Sequence, residues 1–216
     1  FNLAVSGRPG PVVLAVPENI LRQFSEISDY DIQNCHGSAP KKNSYSVLKE
    51  MFSVSRRPLI LVGGSAWCKS ASLSVQNFAN KYSIPVSTGF RRQDILDNQS
   101  PVFCGAFGTS VSPSLLKRMN EVDLLLVIGS RLGEMTTNGY QIFNEWSSEQ
   151  KLVHVHVDAS EIGSVKPPDL GIVSTVKNFS DDLLNLKLKS NEDWKDWCEI
   201  LRSEYVLDLI PPKYEG

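Results

Sequence analysis

The stretch LLLVIGSRLGEMTTNG, residues 124–139, decides the fold, because an apolar block runs directly into Gly-Ser-Arg and a polar loop. A strand without a polar face has to be covered on both sides, which is typical of a parallel sheet with helices above and below it. Ligands of such sheets bind at the carboxyl ends of the strands, where Arg131 lies here. The stretch therefore predicts an α/β fold and a small-molecule site.

Apolar runs and amphipathic helices alternate along the rest of the chain. The predicted strands are VVLAV (12–16), PLILV (58–62), PVST (85–88), VDLLLVI (122–128), LVHVHV (152–157) and GIVSTV (171–176). Helical spacing or a capping residue predicts helices over 44–55, 73–82, 112–119, 178–188 and around Trp194 and Trp197. The alternation predicts a doubly wound, Rossmann-like parallel sheet with helices on both faces, spanning residues 44–188.

The composition excludes several function classes. The 216 residues carry a net charge of -2 with scattered basic residues, so no nucleic-acid partner is expected. No apolar run approaches the roughly 20 residues of a membrane helix. Cys35, Cys68, Cys104 and Cys198 form no C-x-x-C pair, which favours a reducing, cytoplasmic setting over a zinc site or disulfides. The chain starts at Phe1 without a targeting segment, so we expect a piece of a longer protein.

Small and polar residues collect at the predicted strand ends, where the backbone of a ligand would pass. Gly63 and Gly64 allow close approach and a positive φ, and Ser65 begins a turn into a helix whose amides favour anions. Thr88 ends another strand. The candidates are completed by Gly129 with Arg131, whose forked guanidinium suits a phosphate or carboxylate, and by Asp158, placed for a ribose hydroxyl. These residue types favour a nucleotide site.

Each of these features also has a structural interpretation. A Gly-Gly pair after a strand serves tight turns equally well, and a loop arginine such as Arg131 commonly pairs with a nearby acid such as Glu134. The chain has neither G-x-G-x-x-G nor a Walker A motif. The standard dehydrogenase and NTPase interpretations therefore fail.

Three further groups are weaker candidates. His154 and His156 lie two apart on a strand and share one face, but they lack a nearby cysteine or carboxylate at ligand spacing, which favours a structural role over a metal site. The pair Cys35-His36 falls in a predicted linker and lacks a rigid scaffold for nucleophilic chemistry. The last helix, which carries Trp194, is expected to dock on a neighbouring element rather than bind a ligand.

Six motifs in order carry a family resemblance. They are SGRPGPVVLAVP (6–17), RRPLILVGGSA (56–66), IPVSTGF (84–90), GAFG (105–108), DLLLVIGSRLGE (123–134) and HVHVDASEIG (154–163). Together they resemble a thiamine diphosphate-dependent enzyme of the acetolactate synthase type, and the likeness covers almost the whole chain.

The resemblance implies a domain organisation. Residues 1–23 would be the tail of a pyrimidine-binding domain, 24–43 a linker, 44–188 a central domain of the DHS-like NAD/FAD-binding type, and 189–216 a helix and linker toward a diphosphate-binding domain. The full-length parent would be an oligomer, a dimer or tetramer, that binds thiamine diphosphate and Mg²⁺. The family's activating glutamate and its GDG motif are absent from this sequence. No catalytic or metal-binding residue is therefore assigned, and the fragment alone is expected to be inactive.

The resemblance also implies a nucleotide in the central domain. In acetolactate synthase-like relatives that nucleotide is FAD, contacted at positions matching Gly129 and Arg131, while Gly63, Gly64, Gly105 and Gly108 match the positions of close backbone approach. This chain departs from the pattern at three places, which are His156 in place of an acid, STV (174–176) in place of Gly-Asp, and Phe107 in place of a histidine.

Those departures leave several interpretations open. The first two departures remove hydrogen-bond acceptors for an adenosine, so the site could hold FAD, hold ADP or be empty. Phe107 argues against acetolactate synthesis proper as the reaction of the parent. The parent is then expected to be a transferase or lyase, a 2-oxoacid carboligase or decarboxylase. A non-catalytic spacer domain at subunit contacts, without nucleotide, is the alternative. A stand-alone nucleotide-binding protein and a sirtuin-like deacylase are disfavoured, the latter because the chain lacks a paired-cysteine zinc module.

Overall fold

A computed structural model describes residue 4 and residues 10–24, 42–189 and 191–211 of the chain. The strands are β1 (Pro58–Val62), β2 (Val86–Thr88), β3 (Phe103–Ala106), β4 (Leu124–Ile128), β5 (Lys151–His156) and β6 (Leu170–Val173). The helices are α1 (Glu18–Leu21), α2 (Lys42–Val54), α3 (Lys69–Tyr82), α4 (Pro113–Arg118), α5 (Val176–Asn185) and α6 (Glu192–Asp208), with 3-10 turns at Gln93–Ile95, Met119–Glu121 and Gln141–Phe143. The Cys35-His36 pair and most of the predicted linker lie outside the described residues.

All neighbouring strands in the sheet run parallel, in the order β3-β2-β1-β4-β5-β6. The order reverses between β1 and β4, which is the switch point of a doubly wound sheet. The predicted Rossmann-like fold is confirmed. Within the described ranges, no helix combines the length and the apolar character needed to cross a membrane.

Alternating side chains of the central strands fill two hydrophobic cores, one on each face of the sheet. Ile60 and Val62 of β1 pack with α2, α3 and α5 on the first face. Leu59 and Leu61 of the same strand pack with α4, a 3-10 turn and part of α6 on the second. All five residues of β1 and of β4 are buried, which explains the absence of polar alternation in their sequence.

Capping residues set the helix starts, and two predicted boundaries were wrong. Ser112 caps α4 by accepting a hydrogen bond from the Leu115 amide at 3.2 Å, at the start of the helix predicted over 112–119. Thr175 caps α5 in the same way, so the chain turns helical at Val176, where a strand was predicted to end. Ser44 lies inside α2 rather than at its cap.

One predicted strand is absent and one observed strand was missed. The segment VVLAV, 12–16, pairs with no strand among the described residues, and Val13 is 91% exposed. A strand needs a neighbour to satisfy its amides, and the edge strands of this sheet do not supply one to this segment. Strand β3 escaped prediction because it has four residues and includes Gly105.

Indole and carboxylate groups close the amino end of the sheet. Trp194 and Trp197 of α6 donate hydrogen bonds from their indole nitrogens to the carbonyls of Ser55 and Pro58, at 2.8 and 3.0 Å. The Asp123 carboxylate accepts hydrogen bonds from the amides of Arg56 and Arg57. The last helix thus docks on the sheet, as its apolar face indicated.

Candidate functional site

A cleft of about 430 Å³ opens at the carboxyl ends of the strands, where the strand order reverses. It is lined by Gly64, Ser65, Phe90, Arg92, Gly129, Ser130, Arg131, Gly133, Glu134, Met135, Thr136 and His156. Four of the nine predicted binding residues are in this lining, namely Gly64, Ser65, Gly129 and Arg131. The turn after β1 and the turn after β4 therefore form its floor.

The two turns touch each other closely. Gly64 has φ +73°, and a Cβ at this position would lie 1.9 Å from the Gly129 carbonyl oxygen. A Cβ at Gly63 would lie 3.1 Å from the Ser130 Cβ. Gly64 is thus required by the packing of the two turns, independently of any ligand, and the tight contact at Gly63 favours a glycine there as well.

Arg131 places a positive charge in the cleft that is only loosely paired. Its side chain is 51% exposed, and its Nη1 lies 3.8 Å from Oε1 of Glu161 on the loop after β5, rather than pairing with Glu134 as the structural interpretation suggested. A pair at that distance with an exposed member contributes little stability. The guanidinium is therefore in a position to exchange this acid for a phosphate or carboxylate.

A second guanidinium in the lining is already engaged. Arg92 donates from Nε and Nη2 to the two carboxylate oxygens of Asp94, at 2.9 and 3.1 Å. The bidentate bond lowers the pKa of the Asp94 carboxyl. Arg92 therefore shapes the wall, while Arg131 offers the exchangeable charge.

The two histidines of β5 are buried next to the Gly-Ser-Arg turn. His154 Nε2 lies 2.8 Å from the Ser130 carbonyl and donates to it, while its Nδ1 is buried without a hydrogen-bond partner among the described residues. Burial lowers the pKa of His154. No group of three metal-ligating side chains surrounds either ring in the described part of the chain. His154 therefore holds the turn in place, a structural role, whereas His156 reaches the cleft.

The remaining predicted residues lie outside the cleft lining. The Thr88 hydroxyl is fully buried and lacks a hydrogen-bond partner in the described residues. Gly105 has φ +110°, and its missing Cβ makes room for the Tyr205 ring of α6. Gly108 likewise packs against Phe90. Asp158 folds its carboxylate onto the Ser160 amide and hydroxyl, at 2.9 and 2.7 Å.

Sequence reasoning missed the wall formed by Phe90, Arg92, Met135 and Thr136. These residues come from two loops, and the Phe90 amide joins them by donating to Thr136 Oγ1 at 3.3 Å. Only the motif STGF, which ends at Phe90, hinted at this wall, because loops that meet through tertiary contacts leave no periodicity in the sequence.

The family model described as thiamine pyrophosphate enzyme, central domain, matches residues 46–183. The chain belongs to this family, in agreement with the resemblance of its motifs. Three relatives named acetolactate synthase show how much of a longer protein the chain covers. The acetolactate synthase large subunit of Porphyra purpurea is 28% identical over 227 residues, covering 99% of this chain and 38% of the relative.

Two further relatives show the same pattern. The probable acetolactate synthase large subunit of Methanocaldococcus jannaschii is 29% identical over 205 residues, covering 90% of this chain and 34% of the relative. Acetolactate synthase 2, chloroplastic, of Nicotiana tabacum is 30% identical over 238 residues, covering 99% and 34%. The chain thus spans between 34% and 38% of the length of these three relatives.

Proposed function

We propose that this central domain binds the phosphates of a nucleotide, FAD or ADP, within a thiamine diphosphate-dependent carboligase or decarboxylase of 2-oxoacids. The observation that carries the proposal is the cleft at the strand-order reversal, with Arg131 half exposed beside two glycine turns. Doubly wound sheets bind nucleotides at this point. The nucleotide has a structural role here, since no catalytic residue is assigned to the domain.

The donors of the cleft fit a diphosphate. The Arg131 guanidinium can hold two phosphate oxygens at once, and the Ser65 hydroxyl and the backbone of Gly64 line the same floor. A carboxylate ligand would satisfy Arg131 equally, but the Ser65 hydroxyl in the same lining adds a donor, which favours a group with several acceptor oxygens. Binding requires Arg131 to leave Glu161, which costs little at 3.8 Å.

Thiamine chemistry belongs to other parts of the whole protein. Thiamine diphosphate, when bound, supplies a thiazolium carbanion and an electron sink. Among the described residues there is no cluster of three His, Cys, Asp or Glu side chains that could hold the accompanying Mg²⁺. We therefore propose that pyrimidine- and diphosphate-binding domains carry the thiamine site and that this chain alone is inactive.

The assembly and its setting are part of the same proposal. The domain boundaries at 23, 43 and 188 stay predictions, as do an oligomeric parent and a cytoplasmic location. Two of the three described cysteines are buried free thiols, which suits a reducing compartment. Detectable 2-oxoacid decarboxylation or carboligation by this chain alone would contradict the assignment of chemistry to other domains.

Binding calorimetry with ADP and FAD tests the nucleotide site. Arg131→Ala should weaken the binding of either nucleotide by roughly tenfold to a hundredfold, because one charge-assisted contact contributes about 1.5–3 kcal/mol. Arg56→Ala is the matched control, since this exposed arginine also lies near an acid, Asp193 at 3.7 Å, but at the closed end of the sheet. Equal affinities in the two variants would contradict the proposal.

A spacer domain without nucleotide is the second candidate. It is favoured by the packing of Gly64 against Gly129, which accounts for the glycine turns without a ligand. The absence of ADP and FAD binding in the full-length protein, with the fold intact by circular dichroism, would support the spacer. A flavin colour in the purified full-length protein, or ADP released from it on denaturation, would exclude it.

A further inference from the structure

His156 presents a hydrogen-bond donor to the cleft. The residue is 4% exposed and lines the cavity. The Asp158 amide donates to His156 Nδ1 at 3.1 Å, and a neutral ring that accepts this hydrogen bond carries its proton on Nε2. No described residue forms a hydrogen bond with Nε2. Nδ1 also lies 3.1 Å from the Asp158 carbonyl. In the tautomer that accepts from the Asp158 amide, the ring presents an Nε2–H to the cleft.

Asp158, the acid predicted to bind a ribose hydroxyl at the end of β5, forms hydrogen bonds within its own turn instead. Asp158 Oδ1 accepts hydrogen bonds from the Ser160 amide and hydroxyl, and Asp158 is not among the residues that line the cleft. A carboxylate favours a hydroxyl donor, whereas an imidazole N–H favours an acceptor oxygen. The end of β5 thus offers a donor, which a phosphate can engage with several acceptor oxygens and a ribose hydroxyl with only one.

His156 lies directly beside the turn that carries Arg131. The Gly129 amide donates to the Val155 carbonyl at 2.9 Å, which places the residue after Val155 next to the Gly-Ser-Arg turn. Arg92 is occupied by Asp94, so Arg131 is the guanidinium left for a phosphate, and His156 adds a separate donor from the end of β5. If a diphosphate lies on Arg131, the adjoining ribose is the part that His156 meets.

We infer that the cleft prefers an adenine nucleotide whose ribose carries a phosphate over one with free ribose hydroxyls. The inference rests on the proposed nucleotide function of the cleft. His156 is the specificity-determining residue, because its Nε2–H donates to the extra phosphate. Glu134, the one acid in the described lining, belongs to the loop after β4 and does not replace an acceptor on β5.

Calorimetry on the full chain compares ADP with its 2′-phosphorylated and 3′-phosphorylated counterparts. At least one phosphorylated nucleotide should bind fivefold or more tightly than ADP. His156→Asp should reverse the preference, because a carboxylate accepts from a hydroxyl and repels a phosphate. His156→Gln, which keeps a donor, should retain part of the preference, and His154→Gln should retain all of it.

A measurement on the unmodified chain guards against misfolded variants. The imidazole Nε2 resonance of His156 should shift in ¹⁵N NMR when the preferred phosphorylated nucleotide is added, and shift less with ADP. Binding of ADP as tight as both phosphorylated forms would overturn this inference and leave the nucleotide function standing. Binding of none of the three, together with no binding of FAD, would overturn both.

Discussion

The two ends of the parallel sheet are built differently. At the amino end, buried indoles and a carboxylate satisfy the polar groups of the chain, as when Trp194 donates to the Ser55 carbonyl and Asp123 accepts from the Arg56 amide. At the carboxyl end, glycine turns pack backbone on backbone and leave a cleft lined by Arg131 and His156. One end is closed by side chains, and the other keeps donors available.

This difference separates residues that stabilise the fold from residues that can bind. Groups with complete hydrogen bonds inside the protein have nothing further to offer a ligand. Arg131 has only a loose ion pair, and His156 Nε2 has no partner in the described residues. Changes at the amino end should therefore alter stability and spare binding, while changes at Arg131 and His156 should alter binding and spare stability.

The largest effect is expected at the closed end. Trp194→Ala removes a side chain that is 2% exposed and stacked edge-on against Phe52, with ring centroids 5.9 Å apart. The free energy of unfolding should fall by about 3–5 kcal/mol. Urea denaturation measures it, with Ile200→Ala on the same helix as a 41% exposed control that should cost no more than about 1 kcal/mol. Equal losses in the two variants would contradict a sealed amino end.

Gly64→Ala should lower both the stability of the fold and the affinity for nucleotide. The new Cβ would clash with the Gly129 carbonyl, and φ +73° adds strain, so we expect a loss of at least about 2 kcal/mol in stability together with weakened nucleotide binding. Gly133→Ala is the matched control in the same cleft, since its Cβ would meet no described atom within 4 Å. If Gly64→Ala is as stable as Gly133→Ala, the two turns do not pack as described.

His154 should make stability depend on pH. Burial lowers the pKa of His154, although its bond to the Ser130 carbonyl opposes the shift. The unfolded chain therefore takes up the proton at higher pH than the folded chain, and stability is complete above about pH 6.5 and is lost as pH falls toward the lower folded pKa. His154→Gln keeps the donor but cannot titrate.

Urea denaturation at two pH values measures this contribution. Between about pH 7.5 and about pH 5.5 the wild type should lose roughly 1 kcal/mol more than His154→Gln, the free energy of protonating one histidine in the unfolded state only. Equal losses would mean that the ring titrates alike in both states. His156→Gln provides the comparison for the neighbouring ring, which reaches the cleft.

The smallest effect is a difference in thiol reactivity that leaves stability unchanged. Cys68 is exposed, and the Ser70 hydroxyl lowers the pKa of its thiol, whereas burial raises the pKa of Cys104 and of Cys198 to about 12. Iodoacetamide should therefore modify Cys68 at least about tenfold faster than the other two. Peptide mass spectrometry measures the rates, and Ser70→Ala should slow Cys68. Similar rates at all three thiols would show that the core opens readily.

Periodicity predicted those parts of the fold whose burial is set by the sheet itself. Strand β4 was evident because all five of its residues are buried and apolar. The segment VVLAV carries the same pattern but has no strand beside it in the described residues, since apolar content does not supply a pairing partner. The strand predicted over 171–176 ends earlier than expected, because Thr175 caps a helix that begins at Val176.

The candidate site was predictable where it follows a strand directly. Arg131 and Gly64 lie immediately after β4 and β1, so the fold class alone located them at the switch point. Asp158 also follows a strand, but its own turn captured its carboxylate. His156 was assigned a structural role because no further metal ligand lies at a suitable spacing. Its place in the cleft lining could not be predicted, since the orientation of its ring depends on an amide two residues later.

A crystal structure of the chain with ADP tests the central claim most directly. We expect a diphosphate on the floor formed by the turns after β1 and β4, with phosphate oxygens about 3 Å from the Arg131 guanidinium and Glu161 displaced. ADP bound elsewhere on the molecule, or a filled cleft in which Arg131 still faces Glu161 and touches no phosphate, would contradict it.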